Sequence, residues 1–200
     1  MVGNRILLLS PHTDDAELGC GATISKLIRA GKTVYYAAFS ACEQSVLDNF
    51  PKDILIHEVK EATAELGIKP DHLFLFRYEV RTFNYRRQEI LDDLIKLRET
   101  LKPDTIYMPC LHDIHQDHKT MAEEALRAFK FCNIFSYELP WNNLNFNTAA
   151  FEIVSEEEAQ CKVNALSKYK SQAHRPYANE EFLQLVGALS AAVLTGQLVQ

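Results

Sequence analysis

No two of the five cysteines, Cys20, Cys42, Cys110, Cys132 and Cys161, stand close enough to form a C-x-x-C pair, and their number is odd. That excludes a thiolate zinc ribbon and argues against a disulfide frame, so the cysteines read as reduced thiols of a reducing, cytoplasmic compartment. Nowhere does an apolar run approach the eighteen or more residues of a membrane span. The first such run, Ile6 to Leu9, is too short for the core of a signal peptide. Basic excess is also missing. A net charge of −6 disfavours a general nucleic-acid or anionic-membrane surface, because both need a basic face. Internal repeats and low-complexity stretches are absent. With 47% apolar and 24% charged residues, the 200-residue chain has the composition of a globular protein. Its length suits one domain over 1–200, with 155–200 as a helical extension packed on it.

Apolar segments of two periods alternate along the chain. Arg5 to Ser10, Thr33 to Ser40, Leu73 to Phe76, Thr105 to Met108 and Ile134 to Leu139 have the short, β-branched or aromatic character of buried strands. Between them, Glu17 to Ala30, Leu55 to Leu66, Ile90 to Leu101 and Met121 to Phe129 carry helical stripes, closed by Gly31, Gly67 and Pro103. Ser155-Glu156-Glu157-Glu158 has the form of a capping box, and Asn179 can cap a last helix bearing Leu183, Val186, Leu189 and Val193. Strand and helix in alternation predict an α/β fold, a Rossmann-like three-layer sandwich around a mostly parallel sheet.

Two polar clusters fall at strand ends. His12-x-Asp14-Asp15 follows the first strand and His115-x-Asp117-His118 follows the fourth. Taken singly, His-x-x-His arises often by chance and Asp-Asp is a common start of a helix. In an open α/β sheet, however, both clusters lie at the carboxyl edge, where ligands bind. Two histidines and one carboxylate suffice for a catalytic Zn2+ with an open position for water, and such a set also accepts Fe2+, Co2+ or Mn2+. Spacing leaves open which of Asp14 and Asp15 touches the metal.

The stretch Ser10-Pro11-His12-Thr13-Asp14-Asp15-Ala16-Glu17-Leu18-Gly19-Cys20-Gly21, with His115-Gln116-Asp117-His118, resembles the LmbE/PIG-L-like N-acetylglucosaminyl deacetylases. Tyr137 to Asn142 and Lys168 to Gln172 extend the likeness to about residue 177. The resemblance implies His12, Asp15 and His118 as zinc ligands and Asp14 as the base that deprotonates the water. It implies His115 as an imidazolium assisting the intermediate or the leaving amine, with Asp117 holding its ring. The implied reaction is removal of an N-acetyl group from a glucosamine-type amino sugar, a small-molecule substrate; a homo-oligomer is compatible with it. A metal-dependent hydrolase of another amide or ester, and a non-catalytic sugar-binding protein, are the competing readings. The chain departs from the common pattern at Thr13, where Pro is usual, at Ala16, and at Asp113, where some members carry Tyr.

Other residues have two readings each. Arg77, Arg81, Arg86 and Arg87 are either solvated or a grip for a phosphate or carboxylate on the substrate, with Arg81 the single choice. Trp141 either stacks on a sugar or anchors its loop. His57 and His72 read as structural or solvent-facing, and His112, close to the second motif, is weighed against a direct role because three ligands are already assigned. Glu17 reads as an acid complementing the dipole of its helix. His174 and Arg175 belong to a segment that can close over the site.

Overall fold

The computed structural model describes residues 2–145, 150–176 and 182. Ile6, Leu7, Leu8 and Leu9 are fully buried, and they belong to β1 (Arg5–Ser10) at the middle of the sheet. Such an uninterrupted apolar run is what a strand covered on both faces requires. The remaining strands are β2 (Thr33–Ala38), β3 (Leu73–Leu75), β4 (Thr105–Pro109) and β5 (Asn133–Tyr137). All four pairings are parallel, in the order β3-β2-β1-β4-β5. Successive side chains of β1 point to opposite faces, which creates two cores. Ile6 and Leu8 meet α1 (Asp15–Arg29), α2 (Ile54–Glu65) and α5 (Glu156–Leu166), while Leu7 and Leu9 meet α3 (Arg87–Leu101) and α4 (Gln116–Ala128). This is the predicted α/β sandwich. Truncating any of these leucines to alanine costs about 2–5 kcal/mol.

The chain leaves β1 toward β2 and β3, then crosses back to β4 on the other side. Strand order therefore reverses between β1 and β4, and the loops beyond their carboxyl ends part to form a crevice. Glycines of the first motif let α1 sit close against the rest. A Cβ on Gly19 would lie 2.3 Å from the ring of Tyr137 in β5, and one on Gly21 would lie 2.9 Å from Cγ of Lys162 in α5.

The capping box is present: the Ser155 hydroxyl accepts the Glu158 N–H, and the Glu158 carboxylate accepts the Ser155 N–H. After α5 the backbone makes a short 3-10 turn (Lys170–Gln172), fixed by the buried carboxylate of Glu58, which accepts both the N–H and the hydroxyl of Ser171. The helix expected from Asn179 onward lies outside the described residues.

Candidate metal centre

Beyond β1 the chain turns through Pro11-His12-Thr13-Asp14 into α1. Ser10 ties the turn: its hydroxyl donates to the carbonyl of His12 and accepts the N–H of Ala16. Asp14 occupies the N-cap position but makes no side-chain capping bond, so its carboxylate is not engaged with the helix. Asp15 does point inward. Its Oδ2 accepts the backbone N–H of His12 at 2.8 Å and lies 3.0 Å from His12 Nδ1 and 3.1 Å from His118 Nε2. His12 Nδ1 and His118 Nε2 are 3.2 Å apart. Three donor atoms, two aromatic nitrogens and one carboxylate oxygen, thus stand 3.0–3.2 Å from one another.

This geometry tests the fit of a metal. Ligands at about 2.0–2.1 Å from a tetrahedral zinc are about 3.3 Å from each other. The triad has nearly that spacing. His12, His115 and His118 also bring ring nitrogens within 4.8 Å of one another, so His115 faces the same point.

Both candidate imidazole ligands are oriented from behind. His12 turns Nε2 to Asp117 Oδ2 at 3.0 Å, and His118 turns Nδ1 to Asp113 Oδ2 at 2.7 Å. A carboxylate behind each ring fixes its orientation and raises its basicity, as around bound metals. The Asp117 carboxylate was expected on His115. It sits on His12 instead, where the backbone N–H groups of Arg81 and Phe83, at 2.6 and 3.3 Å, complete its shell. What holds His115 is the backbone: it is the N-cap of α4, and its Nδ1 accepts the Asp117 N–H at 3.2 Å. Its remaining proton must then be on Nε2.

Burial alone would lower the pKa of both rings, yet the carboxylates prevail. Asp15, with Asp117, lifts His12 to about 9, and Asp15, with Asp113, lifts His118 to about 10. Asp15 itself is held well below the usual carboxylate range by the two rings, against the effect of burial. Burial and the neighbouring Asp15 push Asp14 up to about 6, close to the ideal for a base at neutral pH. His115 is lowered to about 4 by burial and by His118 and His12, so it is neutral here rather than the expected imidazolium.

A cavity of about 310 Å³ opens over the triad. Asp14, Arg81, His115 and Trp141 line it, as do Gln172 and Arg175 from the C-terminal turn. Trp141 is half-buried against the core and also faces the cavity, which joins its two readings. Arg81 contributes more than a guanidinium: its backbone is left-handed (φ 70°) and its N–H holds Asp117.

Two residues escaped the sequence reading. Asp113 is buried and spans the second motif, accepting the His115 N–H through Oδ1 while holding His118 through Oδ2. Asp-x-His at a strand exit is a usable signal for such a turn. Glu17 stands in the first turn of α1, as expected, but it is fully buried, which the dipole reading did not foresee. Its carboxyl meets the hydroxyls of Tyr36 and Tyr169, whose oxygens also lie 2.9 and 2.7 Å from the carbonyl oxygen of Thr13. Desolvation lifts Glu17 to about 8.

Residues 7–129 match the PIG-L family, described as GlcNAc-PI de-N-acetylase. The Escherichia coli (strain K12) protein YaiS, described as an uncharacterized deacetylase, is 31% identical over 173 residues, 83% of this chain and 90% of that protein. Two solved structures share the fold. The conserved protein TT1542 from Thermus thermophilus has a TM-score of 0.78 at 22% identity, covering 94% of this chain and 86% of that one. The N,N'-diacetylchitobiose deacetylase from Pyrococcus horikoshii has a TM-score of 0.74 at 19% identity, covering 96% and 80%. A family match over more than half of the chain, together with a relative of this identity and span, shows that the chain belongs to the PIG-L family and is a hydrolase of the N-deacetylase type.

Proposed function

We propose that this protein removes the N-acetyl group from a glucosamine-type amino sugar or its glycoconjugate, with His12, Asp15 and His118 holding a divalent cation. The observation that carries the reading is the triad of donor atoms at 3.0–3.2 Å with Asp14 unengaged beside it. Zn2+ suits two imidazoles and one carboxylate; Fe2+, Co2+ and Mn2+ suit the same set. When bound, such an ion supplies Lewis acidity, acidifying a water and polarising the acetyl carbonyl. Asp14 accepts the proton of the attacking water and passes it to the sugar nitrogen as the C–N bond breaks, and the acid's remaining proton moves to the freed amine, giving acetate and an ammonium. Neutral His115 directs its Nε2–H to the oxygen that gains charge. Asp117 and Asp113 hold His12 and His118 in register. Arg81 and Trp141 contact the sugar. Five unpaired thiols suit a reducing, cytoplasmic setting.

The test is metal analysis of the purified protein together with acetate release from N-acetylglucosamine, N,N'-diacetylchitobiose and a set of acyl esters. The expected result is bound metal and acetate from the N-acetyl sugars. Ester hydrolysis without any amide hydrolysis would overturn it.

A further inference from the structure

Among the described residues, six of the nine arginines lie within ion-pair distance of a carboxylate. Arg5 donates to the carbonyl of Leu101. The two that remain, Arg81 and Arg175, both line the cavity over the metal triad, in a protein of net charge −6. They arrive from chain segments that have nothing else in common, the loop after β3 and the turn after α5. Among the described residues, their side chains have only neutral acceptors at hydrogen-bond distance: the Ser45 hydroxyl at 3.3 Å from Arg81, and the Gln172 amide oxygen at 3.2 Å from Arg175.

Neither position is accidental. Among the described residues, Arg81 is one of three non-glycine residues with positive φ, a conformation that is strained for a bulky side chain. It is held there by the bond from its N–H to Asp117, the same carboxylate that orients His12. The backbone that carries the guanidinium is thereby fixed in relation to the metal triad. Arg175 follows the turn that Glu58 clamps through Ser171, and it is near enough to Asp14 to draw that carboxyl down. Uncharged sugar hydroxyls would leave most of this donor capacity unmatched. An oxyanion matches it, because guanidinium presents paired N–H groups to two oxygens at once.

We infer that the substrate is an anionic amino sugar, with Arg81 and Arg175 gripping a phosphate or carboxylate substituent while the acetamide is over the metal triad. The inference rests on the proposed deacetylation for the identity of the reacting group. Phosphate and carboxylate are the two sources of the charge, and the test separates them.

The experiment measures acetate release by the metal-loaded protein from N-acetylglucosamine, N-acetylglucosamine 1-phosphate, N-acetylglucosamine 6-phosphate and N-acetylmuramic acid. Calorimetric binding of the same four sugars runs in parallel. At least one charged sugar is expected to exceed the neutral one by about tenfold or more in kcat/KM and in affinity, as hydrogen bonds to a charged group require. That advantage should shrink with added salt. Arg81→Asn keeps the backbone N–H and tolerates positive φ. In this variant and in Arg175→Gln the ratio should fall toward one, whereas Arg86→Gln, which removes an exposed arginine already paired with Glu89, should leave the ratio unchanged. Equal kcat/KM for neutral and charged sugars would overturn the anion grip and leave the deacetylase reading intact. Arginine-dependent binding of a charged sugar without acetate from any of them would overturn the deacetylase reading and uphold the grip.

Discussion

Asp117 Oδ2 lies 3.0 Å from Nε2 of His12, a bond between the two polar motifs across 105 residues of chain. The same oxygen accepts the N–H of Arg81 at 2.6 Å. One carboxylate therefore couples a candidate metal ligand to the cavity wall. Asp117→Asn and Asp113→Asn should each lower metal affinity by about 10–100-fold while leaving the far-ultraviolet circular dichroism unchanged. Competition with a chelator of known affinity measures it. Wild-type affinity in both variants would remove the orienting role.

Asp14→Asn should retain the metal and lose about 10²–10⁴ in kcat, the range for a general base. With Asp14 lifted to about 6 by burial and Asp15, activity should rise with pH through an acid limb at or below that value, since a bound cation draws the carboxyl down. An acid limb well above pH 7 contradicts the assignment.

The metal-free site is protonated at neutral pH, with His12 near 9 and His118 near 10 because the Asp15 charge outweighs burial. Ligation requires neutral imidazole, so metal uptake at pH 7 should release up to about two protons per ion. Titration calorimetry in buffers of different ionisation enthalpy counts them. Binding at pH 7 that releases no protons would mean that the two rings are not the ligands.

The hydroxyls of Tyr169 and Tyr36 both reach the carbonyl of Thr13, between the candidate ligand His12 and the candidate base Asp14. Tyr169→Phe should loosen that turn, lowering kcat by more than it changes KM and weakening metal binding, with the fold retained. Glu17→Gln keeps a neutral hydrogen-bonding group where the carboxyl is held at about 8, so it should be far milder than Glu17→Leu. An equal effect of Gln and Leu on kcat would show that bulk, not hydrogen bonding, is what counts at Glu17.

Lys162 is buried, and among the described residues its ammonium donates to one acceptor, the backbone carbonyl of Leu18, at 2.7 Å. Burial lowers its pKa to about 8. The unfolded chain holds that proton more tightly than the fold, so the penalty is largest below pH 8 and is relieved as pH rises from about 8 toward 10.5. Lys162→Met should therefore raise the denaturation midpoint at pH 7, with the gain over wild type fading above pH 8. A midpoint lowered equally at all pH values would count against it.

The repeated alternation of apolar runs makes the sandwich legible in the sequence. Ile6 to Leu9 could be covered on both faces only as a central strand, and Gly31, Gly67 and Pro103 marked where helices stop for local reasons of backbone geometry. Both polar motifs were legible too, because charged side chains directly after a buried strand serve no packing purpose. Partners were another matter. Asp117 is two residues from His115 in sequence, yet its carboxylate turns to His12, since the loop carrying Arg81 and Phe83 supplies the donors that hold it there. Glu17 fits a first-turn acid by position, but Tyr36 from β2 and Tyr169 from beyond α5 close over it. The residues and the edge of the sheet on which they stand follow from local periodicity. Which ring faces which carboxylate, and that Arg81 and Arg175 share one cavity, depends on contacts between segments far apart in the chain. Only the crossover of strand order between β1 and β4 brings those segments together.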